Sequence, residues 1–302
     1  MNSISALRYI IIAVFMMAFS ACQHPIFEND KWEKVGGGLN FPEGPVWDGE
    51  KTLYFSNCSG GWIGKISAGK IDTFLIAGER TFRKTNGLAI DKNGDILACD
   101  FGLGAILKIS AEGAVTTLIA GFEGTAFNRP NDIRFTTAGN FYFTDPKSYG
   151  ENKLDGRLFY YESGTKTIKL AADSLAFPNG LAISPVDKKL YVSESAKNQI
   201  IRFDIDANGE LSNKQTFIKL PGGDPDGLDF DSEGNLYVAH FGSGTLFVIS
   251  PDGRIKEALN TSGKKSSNLE FGGQDLKTLF LTEDETNAVY KIRTNFPGYN
   301  RE

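Results

Sequence analysis

The chain repeats one short pattern six times, and this repetition limits the folds open to it more than any other feature. Each copy opens on a polar residue, continues as a strand, turns at a Gly-containing tip in most copies and closes as a second strand, most clearly in RPNDIRFTTAGNFYFTDP at 129–146. The six opening residues, here called the anchors, fall 43, 45, 48, 47 and 42 residues apart and are Glu43, Asn86, Asn131, Asn179, Asp226 and Asn268. A period of about 40–50 residues made of short strands is typical of β-propeller blades.

The outer strands of the repeats predict how the ring closes. A third strand follows each hairpin, as in AILKIS and TLFVIS, and a fourth strand follows in five of the six copies. The sixth copy ends near Arg293 without a fourth strand, whereas WEKVGGGL at 32–39 precedes the first anchor. We therefore predict an all-β, six-bladed propeller over residues 31–302, in which the N-terminal segment supplies the outer strand of the last blade. A repeat-containing β-sandwich is the alternative.

Two sets of polar residues are predicted at one mouth of the central channel. The anchors begin the innermost strands, and the partner strands end on a second polar set 14 or 15 residues later. Antiparallel pairing places the start of one strand beside the end of the next, so both sets should share that mouth, with apolar strand interiors below it. The second set is Asn57, Asp100, Asp145, Glu194, His240 and Glu283.

Carboxylate and amide oxygens that converge from several blades favour a bound divalent cation. Such donors select Ca²⁺ first and then Mg²⁺ or Mn²⁺, and Zn²⁺ is a further alternative that usually prefers imidazole or thiolate. Asn and Asp before Gly are also common turn residues, and for Asn86 and Asn268 we favour this simpler interpretation. Glu43 is a poor turn residue and is better explained as a metal ligand, whereas Asp226 fits either role.

The N-terminus resembles an export signal. Residues 1–21 combine Arg8 with a short apolar run, and Ser20-Ala21 precede Cys22 as in a bacterial lipobox, although Phe19 replaces the usual Leu. We expect a signal peptide at 1–21, lipidation of Cys22, a tether at 22–30 and a location in the cell envelope. An ordinary signal peptide cut near Ala21 is the alternative.

Charge and cysteine content limit the binding partners and the disulfide state that we expect. The formal net charge of −5 argues against a nucleic-acid partner. Contact with a membrane is expected only through the lipid anchor. Export would permit a disulfide between Cys58 and Cys99, but two buried free thiols are the favoured prediction. We expect a monomer or weak dimer that acts on a small molecule.

Four motifs resemble the gluconolactonase/regucalcin family, also called the senescence marker protein family, and its bacterial sugar-lactonase-like members. They are FPEGPVW at 41–47, RPNDIRF at 129–135 with FYFTDP at 141–146, FPNGLAIS at 177–184, and PDGLDFDSEGNLYVA at 225–239. The resemblance implies a divalent cation held by Glu43, Asn179 and Asp226. It also implies that Asn131 contributes to metal or substrate binding and that Arg129 contacts substrate.

The function expected from these features is metal-dependent hydrolysis of a lactone, most simply a sugar lactone such as gluconolactone. Asp226 would act as general base, while Arg129 and Asn131 would orient the substrate. The chain lacks a Gly-x-Ser-x-Gly motif, which argues against an acyl-enzyme. The alternatives are another esterase or phosphotriesterase on the same site, or a non-enzymatic binding propeller. His240 is expected either to shuttle protons or to hydrogen-bond Asp145.

Overall fold

A computed structural model describes residues 25–299 of the 302-residue chain. Within this range the chain forms six four-stranded antiparallel sheets, and its one helical element is a 3₁₀ turn at Ser195–Lys197. The first strands of successive sheets contact one another in an unbroken cycle, so the sheets are blades around a central axis. The predicted all-β, six-bladed propeller is confirmed.

The strands follow the chain blade by blade. The N-terminal strand and the first three blades are β1 (Glu33–Gly37), β2 (Pro42–Trp47), β3 (Thr52–Asn57), β4 (Trp62–Ser67), β5 (Lys70–Ile76), β6 (Thr85–Ile90), β7 (Ile96–Asp100), β8 (Ala105–Ile109), β9 (Val115–Ile119), β10 (Ile133–Phe135), β11 (Phe141–Asp145), β12 (Gly156–Glu162) and β13 (Thr167–Leu175). The last three blades are β14 (Pro178–Ile183), β15 (Leu190–Glu194), β16 (Gln199–Ile205), β17 (Leu211–Lys219), β18 (Asp224–Phe230), β19 (Leu236–Phe241), β20 (Thr245–Ile249), β21 (Ile255–Asn260), β22 (Ser266–Gly272), β23 (Thr278–Glu283) and β24 (Ala288–Arg293).

The ring closes as predicted from the fourth strand that the sixth copy lacks. Strand β1 pairs antiparallel with β24, with Glu33 opposite Lys291 and Gly37 opposite Ala288. The sixth blade therefore has the order β1-β24-β23-β22 and combines both ends of the chain. Without β1, the backbone N–H and C=O groups of β24 would form an open sheet edge.

Packing of the N-terminal segment begins before β1. Ile26 and Phe27 are buried with residues of the fifth and sixth blades, and Phe27 forms an isolated antiparallel bridge with Thr294. The Asn295 N–H also donates to the Ile26 carbonyl at 2.9 Å. Among the described residues, packing against the blades thus begins at Ile26, within the segment predicted as a tether. The predicted signal peptide and Cys22 lie outside the described residues.

The hydrophobic core lies between neighbouring blades. Between the second and third blades, Phe143 stacks on Phe159 with ring centroids 5.3 Å apart, and Phe127 meets both rings edge-on or tilted at 5.0 Å. Burying one such side chain contributes roughly 1.5–3 kcal/mol. Aromatic packing of this kind fixes one blade against the next. The fixed blades in turn set where the innermost strands begin at the central axis.

The two cysteines of the described chain lie in the interior of the propeller. Cys58 and Cys99 are buried free thiols, as predicted, and burial raises the pKa of both. The Cys58 Sγ donates to the Thr85 carbonyl at 2.8 Å. Between residues 25 and 299 the structure contains no helix with the length and apolar character needed to cross a membrane.

Candidate active site

A cleft of about 240 Å³ opens where the first strands begin. It is lined by five of the six anchors, namely Glu43, Asn86, Asn131, Asn179 and Asp226, and by Arg129. Anchors separated by up to 183 positions in sequence thus meet at one mouth, because each lies near the start of the innermost strand of a different blade. All the side chains that the sequence proposed for metal or substrate binding are in this cleft.

Glycines next to the anchors allow the first strands to approach the axis closely. A Cβ atom added to Gly44 would lie 2.2 Å from the carbonyl oxygen of Asn86, and one added to Gly180 would lie 2.2 Å from that of Asp226. Only glycine, whose side chain is a hydrogen atom, fits at these two positions. Asn86 and Asn268 lie inside β6 and β22, so their interpretation as turn residues is wrong. Close packing between blades explains the repeated Gly.

Hydroxyl groups fix the anchor backbone from the neighbouring blade. Ser56, Thr144 and Ser193 each sit one residue before the end of a second strand. Their hydroxyls donate to the anchor carbonyl of the next blade at 2.6, 2.9 and 2.7 Å, respectively. Because these bonds hold the main chain, the anchor side chains remain available to the cleft.

The second polar set supports the loops of the mouth. In five blades the side chain of the second-set residue accepts a hydrogen bond from a backbone N–H two or three positions before the anchor, at 2.6–3.0 Å. Asp145, for example, accepts from the Arg129 N–H at 2.7 Å and also pairs with Arg157. These residues therefore shape the loop that carries each anchor and leave the cleft to the anchors themselves.

His240 is the exception in the second set. Its ring nitrogens lie 2.7 Å from Ser243 Oγ and 2.9 Å from Asn198 Oδ1. The expected hydrogen bond to Asp145 is therefore wrong. Burial lowers the His240 pKa to about 4, so the ring is neutral at physiological pH and satisfied by two polar neighbours. This arrangement favours a structural role over proton transfer.

The anchor of the sixth blade differs from the prediction by one residue. The Asp132 N–H donates to Thr144 Oγ1 in the third blade, and the Asn268 N–H donates to Thr282 Oγ1 in the sixth. Asn268 therefore corresponds to Asp132, and Ser267 occupies the anchor position. This offset explains why Asn268 is absent from the described lining of the cleft.

Buried carboxyl groups crowd beneath the cleft. Burial, with a contribution from the charge of Asp132, raises the pKa of Glu43 to about 8. Burial and the neighbouring carboxylates of Glu43 and Asp284 also raise the pKa of Asp226 well above its ordinary value. The pKa of Asp284 rises to about 9 through burial and the charge of Glu43. The mouth therefore favours either protons or a cation among these oxygens.

Several of these oxygens have no hydrogen-bond partner. Among the described residues, Asn86 Oδ1, Asp226 Oδ1, Asp132 Oδ2 and both oxygens of Asp284 are buried and unpaired. Buried polar atoms are normally satisfied, so an oxygen-lined centre of this kind fits a hard cation such as Ca²⁺. No group of three or more His, Cys, Asp and Glu side chains in the part of the chain described forms a metal site by itself. A cation here would thus depend on the Asn oxygens as well.

A charged network lies deeper in the channel and was missed in the sequence. Arg134 is buried, pairs with Glu270 at 3.4 Å and donates to the carbonyls of Leu181 and Leu228. The charge of Asp229 also raises the Arg134 pKa. The expectation of apolar strand interiors is wrong here. The i, i+2 spacing of Asp132 and Arg134 was the available signal, since alternate strand residues share one face.

Aromatic residues form the rim of the cleft. Phe41 and Phe177 lie two residues before Glu43 and Asn179, and their φ angles are 60° and 56°. Non-glycine residues in this left-handed region cost roughly 1–3 kcal/mol each and often mark functional sites. The Arg129 guanidinium lies 5.9 Å from the Phe177 ring centroid. The mouth therefore combines apolar faces with charged groups.

Comparisons with known proteins agree with this architecture. Residues 41–284 match the family described as the SMP-30/Gluconolactonase/LRE-like region. A gluconolactonase of Zymomonas mobilis is 30% identical over 88% of this chain and 82% of its own, and a diisopropyl-fluorophosphatase of Loligo vulgaris is 28% identical over 86% and 90%. The solved gluconolactonase of Xanthomonas campestris superposes with a TM-score of 0.78, at 26% identity over 89% and 91% of the two chains. The chain therefore belongs to the SMP-30/gluconolactonase/LRE-like family.

Proposed function

We propose that this protein is a divalent-cation-dependent lactonase that hydrolyses a sugar lactone such as gluconolactone. The observation that carries the proposal is the unpaired, buried Asp226 Oδ1 beside Glu43 at the base of an open cleft. Membership in a family with relatives named gluconolactonase supports the same chemistry. An open mouth lined by Arg129 argues against a purely structural ion under a plugged surface.

The cation would be held by Glu43, Asn131, Asn179 and Asp226. Their carboxylate and amide oxygens favour Ca²⁺, with Mg²⁺, Mn²⁺ and Zn²⁺ as alternatives. When bound, the cation supplies Lewis-acid polarisation of the lactone carbonyl and stabilises the developing oxyanion. Asn86 Oδ1, which is also buried and unpaired, adds a further oxygen to this centre.

Asp226 has the position required of a general base. The backbone carbonyl of Asp226 is fixed by Ser193 at 2.7 Å, whereas its Oδ1 is unpaired and belongs to a residue that lines the cleft. Asp226 would accept a proton from water as the water oxygen attacks the lactone carbonyl. The ring C–O bond then breaks, and the proton returns to the departing alkoxide. Arg129 and Asn131, at the rim, would orient the hydroxylated ring.

Hydrolysis of a phosphotriester is the second candidate function. The 28% identity to a diisopropyl-fluorophosphatase favours it as an additional activity of the same site. A panel of gluconolactone, unsubstituted lactones, aryl esters and a phosphotriester, each with and without EDTA, would rank the substrates. The lactonase proposal fails if a phosphotriester or aryl ester is the only substrate turned over.

The decisive experiment combines two variants with metal analysis. Glu43→Gln and Asp226→Asn should each lower gluconolactonase activity by roughly 10²-fold or more, because both remove a carboxylate from the centre. Elemental analysis should find less bound cation in Glu43→Gln. The matched control is Glu50→Gln, an exposed carboxylate in the turn between β2 and β3. Full activity of both site variants with the metal still bound would refute the proposal.

Export to the cell envelope and lipidation of Cys22 remain part of the proposal, as does a monomeric or weakly dimeric state. Fractionation of cells that express the full chain should place the protein with the membranes, and Cys22→Ala should release it. Retention of Cys22→Ala in the membrane fraction would refute anchoring through this residue.

A further inference from the structure

A loop of the third blade reaches across the mouth to the fifth blade. Tyr149, in the connection between β11 and β12, donates its hydroxyl to Asp224, whose carboxylate oxygens lie 2.9 and 2.8 Å away. Asp224 opens β18 and precedes Asp226 by two residues. Tyr149 is 59% exposed, and both residues line the cleft that holds the anchors. The contact therefore lies on the path of any ligand that approaches the site.

The neighbours of this contact provide two further kinds of interaction. The Tyr149 ring meets the Phe177 ring edge-on at 5.4 Å, and the Arg129 guanidinium lies over the same Phe177 ring. Phe41, Phe101 and Phe177 add apolar surface around the mouth. One side of the cleft thus presents a carboxylate acceptor, a guanidinium donor and aromatic faces within a single group of residues.

This combination matches a polyhydroxylated ring. Two neighbouring hydroxyls can donate to the two oxygens of one carboxylate, and C–H faces of such a ring pack on aromatic side chains. Among residues 25–299, only the Tyr149 hydroxyl donates a hydrogen bond to the Asp224 carboxylate. Because Tyr149 is exposed and held on a loop, substrate hydroxyls can replace it without breaking a blade.

We propose that Asp224 is the group that recognises substrate hydroxyls, and that Tyr149 occupies its carboxylate until the hydroxyls displace it. This inference rests on the proposed lactonase function and makes the site selective for hydroxylated over unsubstituted lactones. A site built to bond a substrate hydroxyl discriminates strongly against analogues that lack it. Asp224 is thereby a specificity residue, distinct in role from Asp226, which lies two positions later on the same strand.

Two variants test the two halves of the inference. Asp224→Asn should raise the KM for gluconolactone by about 10- to 100-fold, the range for loss of hydrogen bonds to a charged group, with kcat changed little. Tyr149→Phe should lower that KM by about 2- to 10-fold, since one competing, solvent-exposed hydrogen bond to the same carboxylate is removed. Both variants should change kcat/KM for unsubstituted δ-valerolactone much less than they change kcat/KM for gluconolactone. Bound metal is measured in each variant because Asp224 lies near Asp226.

A binding measurement separates this inference from the proposed reaction. Methyl α-D-glucopyranoside carries ring hydroxyls but no lactone, so its calorimetric affinity does not depend on turnover. Wild type and the control Glu151→Gln, an exposed carboxylate in the Tyr149 loop, should bind it equally, Asp224→Asn more weakly and Tyr149→Phe more tightly. Undiminished binding by Asp224→Asn, weaker binding by Tyr149→Phe, or no binding by wild type would overturn the inference. A wild type that binds the glucoside but hydrolyses no lactone would refute only the proposed function.

Discussion

Replacing Glu43 with Gln should weaken the pH dependence of stability in the cation-free protein. Burial raises the folded-state pKa of Glu43 from 4.5 to about 8, so the folded protein keeps this proton at pH values where the unfolded chain has released it. The stabilising contribution is fully present below pH 4.5 and is lost as the pH rises through about 8. At about 1.4 kcal/mol per pKa unit, the loss is on the order of 5 kcal/mol.

The measurement is urea unfolding followed by tryptophan fluorescence, in EDTA or in excess Ca²⁺. In EDTA the free energy of unfolding of the wild type should fall between about pH 5 and about pH 9 by several kcal/mol more than that of Glu43→Gln. Gln keeps an oxygen that can accept the Gly44 N–H, which donates to Glu43 Oε2 at 3.0 Å. Added Ca²⁺ should restore the wild type at high pH but not the variant, because a cation favours the charged carboxylate.

Glu50→Gln, an exposed site, is the control and should follow the wild type in both solutions. The reasoning about Glu43 would be refuted if Glu43→Gln lost stability in EDTA as steeply as the wild type. Equal stabilisation of wild type and variant by Ca²⁺ would separately show that Glu43 does not bind the cation.

Two further substitutions probe the packing that builds the site. Gly227→Ala should destabilise the protein and weaken cation binding, because its Cβ would lie 2.1 Å from Asn268 Oδ1, whereas Gly164→Ala, with no atom within 4 Å, should be neutral or slightly stabilising. Calorimetric melting and Ca²⁺ titration check both, and equal effects would contradict the close-packing explanation. Phe27→Ala should lower the free energy of unfolding by about 3–5 kcal/mol, against about 0.5 or less for the exposed Ile76→Ala. Similar losses in urea unfolding would show that the N-terminal segment is not part of the core.

The architecture was predictable because each blade repeats the same pattern of strands and turns. That pattern is encoded by residues that lie close together in the sequence. Hairpin spacing located the first two strands, and the lone WEKVGGGL segment predicted the partner of β24. Convergence of Glu43 and Asp226 followed from that ring, since any residue at the start of an innermost strand must face the same mouth. Their roles in catalysis and metal binding remain predictions.

What could not be predicted depends on register and on contacts between distant blades. Matching Asn268 to the other anchors by residue type misplaced it by one position, because the sixth blade has Ser267 where the first has Glu43 and has Asn268 where the first has Gly44. A slip of one residue moves a side chain to the opposite face of a strand. The Tyr149–Asp224 contact joins residues 75 positions apart through a loop, and no local pattern encodes it.

The pairing of β1 with β24 has a consequence for how the protein is made. Glu33 lies opposite Lys291, so the first strand to leave the ribosome must wait for the last one before the sixth blade can be completed. Contacts so far apart in sequence form slowly, and an unpaired strand edge favours aggregation in the meantime. Ribosome-bound chains that lack β24 should therefore expose β1 to proteases, and the addition of β24 should protect it.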